Sequence, residues 1–278
     1  MSVISLQSEV VFGHVGNGAA RLALQRLGQE VWAIPTVLLS NHAGYPSVAG
    51  EALPVEKITA LVDGLLANGW LPACDAVLSG YLGAPEQAAA VADTVRRVKA
   101  ANPQALYCLD PVFGDGGRIY AKPGVEDAMA RTLLPLADIV TPNAFELGVL
   151  SGLPIANAAD ARRAAQMLPN RCVAVTSVPC GHDRIGTLVC KDGEVWLAST
   201  SLLKNVPSGA GDLFAALFLG QTLIGHTPSG ALELATRAVF HVLARSVAAQ
   251  SREMLLVAEQ SVLDAPPSLP DLKLEKTS

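Results

Sequence analysis

DAVLSGYLGAPEQAAAVADTVRRVKAANPQALYCLD, residues 75–110, is the stretch that decides the fold. Its two ends, DAVLSG at 75–80 and ALYCLD at 105–110, are short apolar-rich runs that read as strands. Between them, Pro85 to Ala101 places Ala88, Val91, Val95 and Val98 on one helical face by steps of three and four, with Glu86, Asp93, Arg96 and Arg97 mostly opposite. A strand, an amphipathic helix and a second strand in that order make a crossover between parallel neighbours, because a parallel pair needs a long return that packs on the face of the sheet.

The same alternation runs outward in both directions. VISL at 3–6, VWAIPTVLL at 31–39, DIV at 138–140 and CVAVTS at 172–177 read as further strands, with Ala- and Leu-rich helical segments between them. The expected architecture is one α/β domain over residues 1–263, a three-layer sandwich with a mostly parallel central sheet and helices on both faces. Ile185–Cys190 and Glu194–Ala198, joined by Lys191-Asp192-Gly193, read instead as a hairpin and so as an antiparallel edge. The segment 264–278, DAPPSLPDLKLEKTS, has neither period nor much apolar content and is expected to be a flexible tail outside the core. No internal repeat is visible at a period of about 20–50 residues.

With 278 residues, half of them hydrophobic and 16% charged, the chain has enough apolar material for a large core. A net charge of -5 with acids and bases interspersed gives no basic stripe for nucleic acid. No apolar run reaches the roughly 20 residues needed to cross a bilayer, and MSVISLQSEVV lacks the basic region and cleavage site of a signal peptide. Five cysteines without a C-x-x-C pair fit a reducing compartment, argue against a zinc site or disulfide framework, and read as small buried hydrophobes. The expected location is the cytoplasm.

In parallel sheets ligands gather beyond the carboxyl ends of the strands. The residues found there are Ser8 and Glu9, Asn41 and His42, Gly80 and Tyr81, Asp110, and Thr141-Pro142-Asn143. The strongest chemical signal is Pro207-Ser208-Gly209-Ala210-Gly211-Asp212-Leu213-Phe214, which opens the apolar helical run AALFLGQTLI. Two glycines around one small residue let the backbone turn its amides inward, and a helix starting there adds unsatisfied N–H groups and a positive dipole end, which together make an anion hole. Asp212 in its first turn is placed to accept a proton from a hydroxyl beside a transferring phosphoryl group. Taken alone, Gly-Ala-Gly-Asp fits a capped turn equally well. Its company decides between the two.

Gly209–Asp212 matches the Gly-x-Gly-Asp signature near the C-terminal third of the ribokinase-like kinases, and within that superfamily the chain most resembles the pyridoxal kinases. Further matching stretches are Gln7-Ser8 with GHVGN at 13–17, LLSNH at 38–42, LSGYLG at 78–83, DPVFGDGGRIY at 110–120, VTPNAFEL at 140–147 and VTS at 175–177, in the family's order from about residue 3 to about residue 250. The resemblance implies ATP-dependent phosphorylation of pyridoxal with Mg²⁺ and a monovalent cation, K⁺ or Na⁺. It implies Asp212 as catalytic base, with the amides of Gly209, Ala210 and Gly211 as the anion hole. Ser8, Ala43, Tyr81 and Asp212 are implied for the substrate. Asp110, Tyr120, Thr141, Asn143, Glu146, Thr176, Ser177 and Ala210 are implied for ATP, with Leu203, Lys204 and Asn205 around the adenine. Asp110, Asp115, Glu146, Thr141 and Thr176 are implied around the cations, Glu146 acting through a metal-bound water. Asn143 and Glu146 also have the spacing of a helix N-cap and its capping-box glutamate. The family further implies a homodimer.

Three positions depart from the family pattern. Ala43 stands where relatives often carry Thr, Ala210 replaces the commoner Thr of the anion hole, and Glu9 sits where many have His. Residues 111–123 contain no Cys, which excludes a thiohemiacetal on that loop. His14 and His42 read as structural hydrogen-bonding residues, and Trp32, Trp70 and Trp196 as packing. Two rivals stay open: a kinase of the same superfamily acting on hydroxymethylpyrimidine or a sugar, and a non-catalytic pyridoxal 5′-phosphate-binding relative. An intact Gly-Ala-Gly-Asp argues against the second.

Overall fold

Alternating apolar residues divide the strands between two cores, and this sets the layering. The computed structural model describes residues 1–277. Ile4, Leu6, Val77, Tyr107 and Leu109 point to one side of the sheet, whereas Val3, Ala76, Leu78 and Cys108 point to the other, the two-residue period of a pleated strand. The strands are β1 (Ser2–Val10), β2 (Glu30–Leu39), β3 (Gly50–Ala52), β4 (Ala76–Ser79), β5 (Leu106–Leu109), β6 (Gly114–Asp115), β7 (Arg118–Ile119), β8 (Ile139–Val140), β9 (Cys172–Pro179), β10 (Arg184–Lys191), β11 (Glu194–Ser201) and β12 (Lys273–Lys276). The helices are α1 (Asn17–Arg26), α2 (Val55–Ala67), α3 (Gln87–Ala101), α4 (Val125–Ala128), α5 (Ala144–Ser151), α6 (Ala158–Met167), α7 (Ala210–Leu223) and α8 (Pro228–Ala248).

The main sheet has the order β12-β11-β10-β9-β8-β5-β4-β1-β2-β3. Its centre, β2-β1-β4-β5-β8-β9, is parallel throughout. Helices α2 to α6 cover one face and α1, α7 and α8 the other, so the expected three-layer sandwich is present. The β10–β11 hairpin is present too. It reverses at Asp192 and Gly193, whose φ values of 51° and 82° are the paired left-handed turn that two-residue hairpins favour.

The opposite edge is also antiparallel, through β3 on β2, and a small hairpin, β6–β7, turns on Gly116 and Gly117. Three residues in β3 and two in each hairpin strand are too few to show a period, so neither element was readable from the sequence.

Helix α7 is buried from Leu213 to Gln221 on all sides, as its uniformly apolar sequence requires. It packs between α1 and α8, and its N-terminus is thereby fixed at the carboxyl end of the sheet.

The segment after Leu263 is not a loose extension. Arg237 donates to the carbonyls of Pro266 and Pro267 at 2.6 and 2.8 Å, and Arg184 pairs with Asp271 at 2.9 Å. Leu272 and Leu274 pack on the core of the α8 face, and β12 extends the sheet beyond β11. Leu-Lys-Leu-Glu does alternate, but over too few residues to outweigh the three prolines before it. Ser278, the last residue of that expected tail, lies outside the described residues.

A chain ending at Leu263 loses these bonds and an edge strand. Its thermal midpoint, followed by circular dichroism, should fall by roughly 5 °C or more. An unchanged midpoint would mean that the segment merely rests on the surface.

Candidate active site

The sheet changes direction at β1: β2 is laid on one side of it and β4 on the other. The crevice beyond the carboxyl ends of β1 and β4 is therefore the switch point at which such sheets receive ligands. The N-terminus of α7 is delivered to this crevice by two close backbone approaches. Gly209, at φ 97°, caps the helix, and a Cβ there would lie 2.2 Å from the His14 carbonyl oxygen and 2.7 Å from Met254 Cε. Gly16, at φ 52°, has no room for a side chain either, since a Cβ would fall 2.2 Å from Ser8 Oγ and 2.3 Å from Ser8 O. Only glycine fits either place.

The first N–H groups of α7, at Ala210, Gly211 and Asp212, have no acceptor within the helix and sit at its positive end. Gly211 differs from Gly209 in having open space around it, with nothing within 4 Å of where its Cβ would be. The Gly16 backbone N–H faces the Asp212 carboxyl and favours its charged form, but burial outweighs that effect and pushes the carboxyl up to about 6. Ser8 sits at a bulge in β1 between Gln7 and Glu9 and is 7% exposed. Ser8, Gly16 and Asp212 thus form one continuous wall, in which an expected substrate residue and the expected base meet.

Ala43 is exposed in the loop after β2, and Tyr81 is half-buried after β4. The Tyr81 ring packs against the core on the α2–α6 face, and its carbonyl accepts the Thr36 hydroxyl at 2.6 Å. Glu9 pairs with Arg21 at 3.2 Å.

Acidic groups converge on the other side of Asp212. Asp110, 3% exposed, accepts the Thr141 hydroxyl on Oδ1 at 2.8 Å, while its Oδ2 is buried without a partner. Desolvation first, and then the charges of Asp212 and Glu146, raise its carboxyl well above the ordinary range. Glu146 does close a capping box on α5: its Oε2 accepts the Asn143 N–H at 2.9 Å, and Asn143 Oδ1 accepts the Glu146 N–H at 2.9 Å. Its Oε1 also accepts the N–H groups of Phe113 and Gly114, at 3.0 and 3.3 Å, so Glu146 fastens the loop after Asp110 to α5. Burial pushes Glu146 up to about 8 despite these bonds. Asn143 Nδ2 donates to the Gly114 carbonyl at 2.8 Å. Asp115 is exposed in β6 and accepts the Gly116 N–H at 2.7 Å. Tyr120 is half-exposed, and its phenol is raised by desolvation and then by the charges of Glu146, Asp212, Asp110 and Asp115, an indication of how closely these five side chains gather.

Thr176 pairs with Asn143 through a parallel bridge, and Ser177 follows it exposed, with φ 57°. A cavity of about 640 Å³ opens here, with Asp115, Gly117, Phe145, Gly148, Ile155 and Ser177 among its walls. Leu203 is half-buried, and Lys204 and Asn205 are exposed in the turn between β11 and α7, Asn205 at φ 56°.

The donor set fits Mg²⁺. The unpartnered, buried Asp110 Oδ2 is a hard oxygen ligand in need of a cation, a water or a proton. Among the described residues no group of three or more His, Cys, Asp or Glu side chains is arranged to hold a metal by itself.

Two positions beside the site carry no signal of their own in the sequence. Gly16 lies within one of the matching stretches, and its approach to Asp212 depends on how the turn after β1 packs against α7. Glu253 follows α8 and carries no periodic or motif signal, yet it touches His42, 211 residues away. His42 does hydrogen-bond, through both ring nitrogens. Trp70, expected to pack, is 52% exposed, while Trp32 and Trp196 lie against the cores.

The family model for phosphomethylpyrimidine kinase matches residues 33–255. The pyridoxal kinase PdxY of Granulibacter bethesdensis is 44% identical over 269 residues, covering 93% of this chain and 94% of that one. The pyridoxal kinase PdxY of Rubrobacter xylanophilus is 42% identical over 275 residues, covering 96% and 95%. Among solved structures, the pyridoxal kinase of Leishmania donovani in complex with ADP and pyridoxamine superposes with a TM-score of 0.92 at 30% identity, covering 100% of this chain and 99% of that one. The same kinase with ADP and pyridoxine gives the same TM-score and identity. The chain belongs to the phosphomethylpyrimidine kinase family and, within it, to the pyridoxal kinases.

Proposed function

We propose that this chain transfers the γ-phosphoryl group of ATP to the 5′-hydroxymethyl oxygen of pyridoxal, with pyridoxine and pyridoxamine as further acceptors, in vitamin B6 salvage. The observation that carries the reading is the continuity of Ser8, Gly16 and Asp212 at the N-terminus of α7. It puts a carboxylate, an anion-binding helix end and a polar strand terminus at one switch point. Ser8, Tyr81 and the loop bearing Ala43 bind the vitamin ring. Asp212 takes the hydroxyl proton, and the amides of Gly209, Ala210 and Gly211 stabilise the equatorial oxygens of the phosphoryl group in flight. Asp110 and Asp115 hold Mg²⁺ together with the nucleotide, Glu146 acting through a bound water, and Thr141 and Thr176 border a monovalent cation, K⁺ or Na⁺. When bound, Mg²⁺ offsets charge on the β- and γ-phosphates. Tyr120, Asn143 and Ser177 flank the nucleotide, with Leu203, Lys204 and Asn205 beside the adenine.

The protein acts in the cytoplasm as a homodimer. Unpaired cysteines support the first. The second rests on the resemblance to the pyridoxal kinases, and Leu38, Val48, Leu61, Leu66 and Trp70 are exposed large apolar residues open to such a contact.

Purified protein with ATP and Mg²⁺ should convert pyridoxal to a product with the absorbance of pyridoxal 5′-phosphate, and Asp212→Asn should lower kcat by at least about 10²-fold. Turnover of hydroxymethylpyrimidine or ribose with pyridoxal inert would keep the kinase and discard the vitamin. Unchanged turnover in Asp212→Asn would remove its assignment as base.

Because burial raises the Asp212 carboxyl, the base is protonated, and idle, below about pH 6. The value of kcat/KM should therefore fall about tenfold per unit below that pH and level off above it. An acid limb near the ordinary aspartate value of about 4 would contradict this environment.

The two glycines of the anion hole should separate on substitution. Gly211→Ala should leave the thermal midpoint unchanged and reduce turnover by about tenfold or more, since its methyl group enters open ligand space. Gly209→Ala should lower the midpoint as well, because the residue is left-handed and in contact with backbone. Equal behaviour of the two variants in a thermal melt would refute the distinction.

A further inference from the structure

The loops at the acceptor end of the site are joined by one carboxylate that comes from the far end of the chain. Glu253 lies in the turn after α8, where its backbone is fixed by Ser251, whose hydroxyl donates to the Glu253 carbonyl at 2.7 Å. Its side chain is 14% exposed. Oε1 accepts the Tyr45 hydroxyl at 2.7 Å and lies 3.0 Å from His42 Nε2, while Oε2 accepts the His14 backbone N–H at 3.2 Å. His42 Nδ1 accepts the Gly44 N–H at 3.1 Å, which leaves the ring proton on Nε2 and makes His42 a donor to Glu253. Three donors from two separate loops thus meet on one carboxylate. The Arg252 guanidinium covers the Tyr45 ring at 4.5 Å, and Phe12 meets the ring's other neighbourhood edge-on at 5.9 Å.

These loops are the ones that form the acceptor side. The 42–45 loop carries Ala43. The other loop runs from the His14 N–H held by Glu253 to the Gly16 N–H that faces Asp212. Met254, the next residue, packs where a Gly209 side chain would be. Glu253 is also irreplaceable by an amide of the same size: glutamine offers one acceptor oxygen, and its NH₂ would face either the Tyr45 and His42 donors or the His14 N–H.

We propose that Glu253 is a positioning residue for the acceptor, a clasp that holds the 11–16 and 42–45 loops in register so that the substrate meets Ser8 and Asp212 in an ordered pocket. Its carboxylate is engaged by the two loops, so it acts through them on acceptor affinity rather than on nucleotide binding. This proposal rests on pyridoxal being the acceptor.

The test is steady-state kinetics of the full chain in pyridoxal and in ATP for the wild type, Glu253→Gln, Tyr45→Phe and the double variant, with hydrogen exchange of residues 11–16 and 40–48. Glu253→Gln should raise KM for pyridoxal about tenfold or more, the effect of losing a hydrogen bond to a charged group, with KM for ATP within about threefold. Tyr45→Phe, which removes a single donor without altering the backbone, should raise it less and add little in the double variant. An unchanged KM for pyridoxal, a parallel rise in both KM values, or full additivity of the two substitutions would overturn the clasp. If the wild type does not phosphorylate pyridoxal, the functional reading fails, but the clasp is still decided. Faster exchange in both loops of Glu253→Gln supports it, and unaltered exchange rejects it.

Discussion

The site depends on the close approach of two backbone turns, Gly16 against Ser8 and Gly209 against the His14 carbonyl. Both contacts are too tight for any side chain, and both glycines have the positive φ that other residues adopt only with strain. Together they press the turn after β1 onto the start of α7. The Gly16 N–H then reaches Asp212, and the free amides of α7 open onto the same crevice. Burial of α7 on all sides holds the arrangement rigid, because sliding the helix would disturb a closely packed core.

A second feature is the crowding of carboxyl groups. Asp110, Glu146 and Asp212 all sit above their ordinary range, with burial as the leading cause each time, and mutual repulsion adds to it for Asp110. Glu146 offsets part of that cost with three backbone N–H groups, whereas Asp110 leaves one oxygen unpartnered. Such a cluster is poorly stabilised by itself and well suited to a cation and a polyanion arriving together, a general property of sites built for charged ligands. The two halves of the crevice accordingly differ in character: carboxylates and the cavity beside Ser177 line one, and the 11–16 and 42–45 loops with Ser8 line the other.

The layering of the fold was legible because it is written in periodicity. The 85–101 helix shows its apolar face over many residues, and short apolar strand runs alternate with helical segments along the chain. The Gly-Ala-Gly-Asp turn was legible because its chemistry is local: glycine, a helix start and an acid in sequence. The elements that were not read, β3, the β6–β7 hairpin and the C-terminal strand, are two to four residues long and exist through tertiary pairing. The same reason hid Glu253, whose three bonding partners lie more than 200 residues away in the chain. Glu146 was visible as a capping-box residue, but its hold on Phe113 and Gly114 requires the loop after β5 to fold back over α5.

The most direct measurement is a crystal structure of this chain with pyridoxal and a non-hydrolysable ATP analogue. The 5′-hydroxyl oxygen is expected within hydrogen-bond reach of the Asp212 carboxylate, the terminal phosphate over the N–H groups of Ala210 and Gly211, and the ring against Ser8. A 5′-hydroxyl bound away from Asp212, or a terminal phosphate held elsewhere than the start of α7, would contradict the account at its centre.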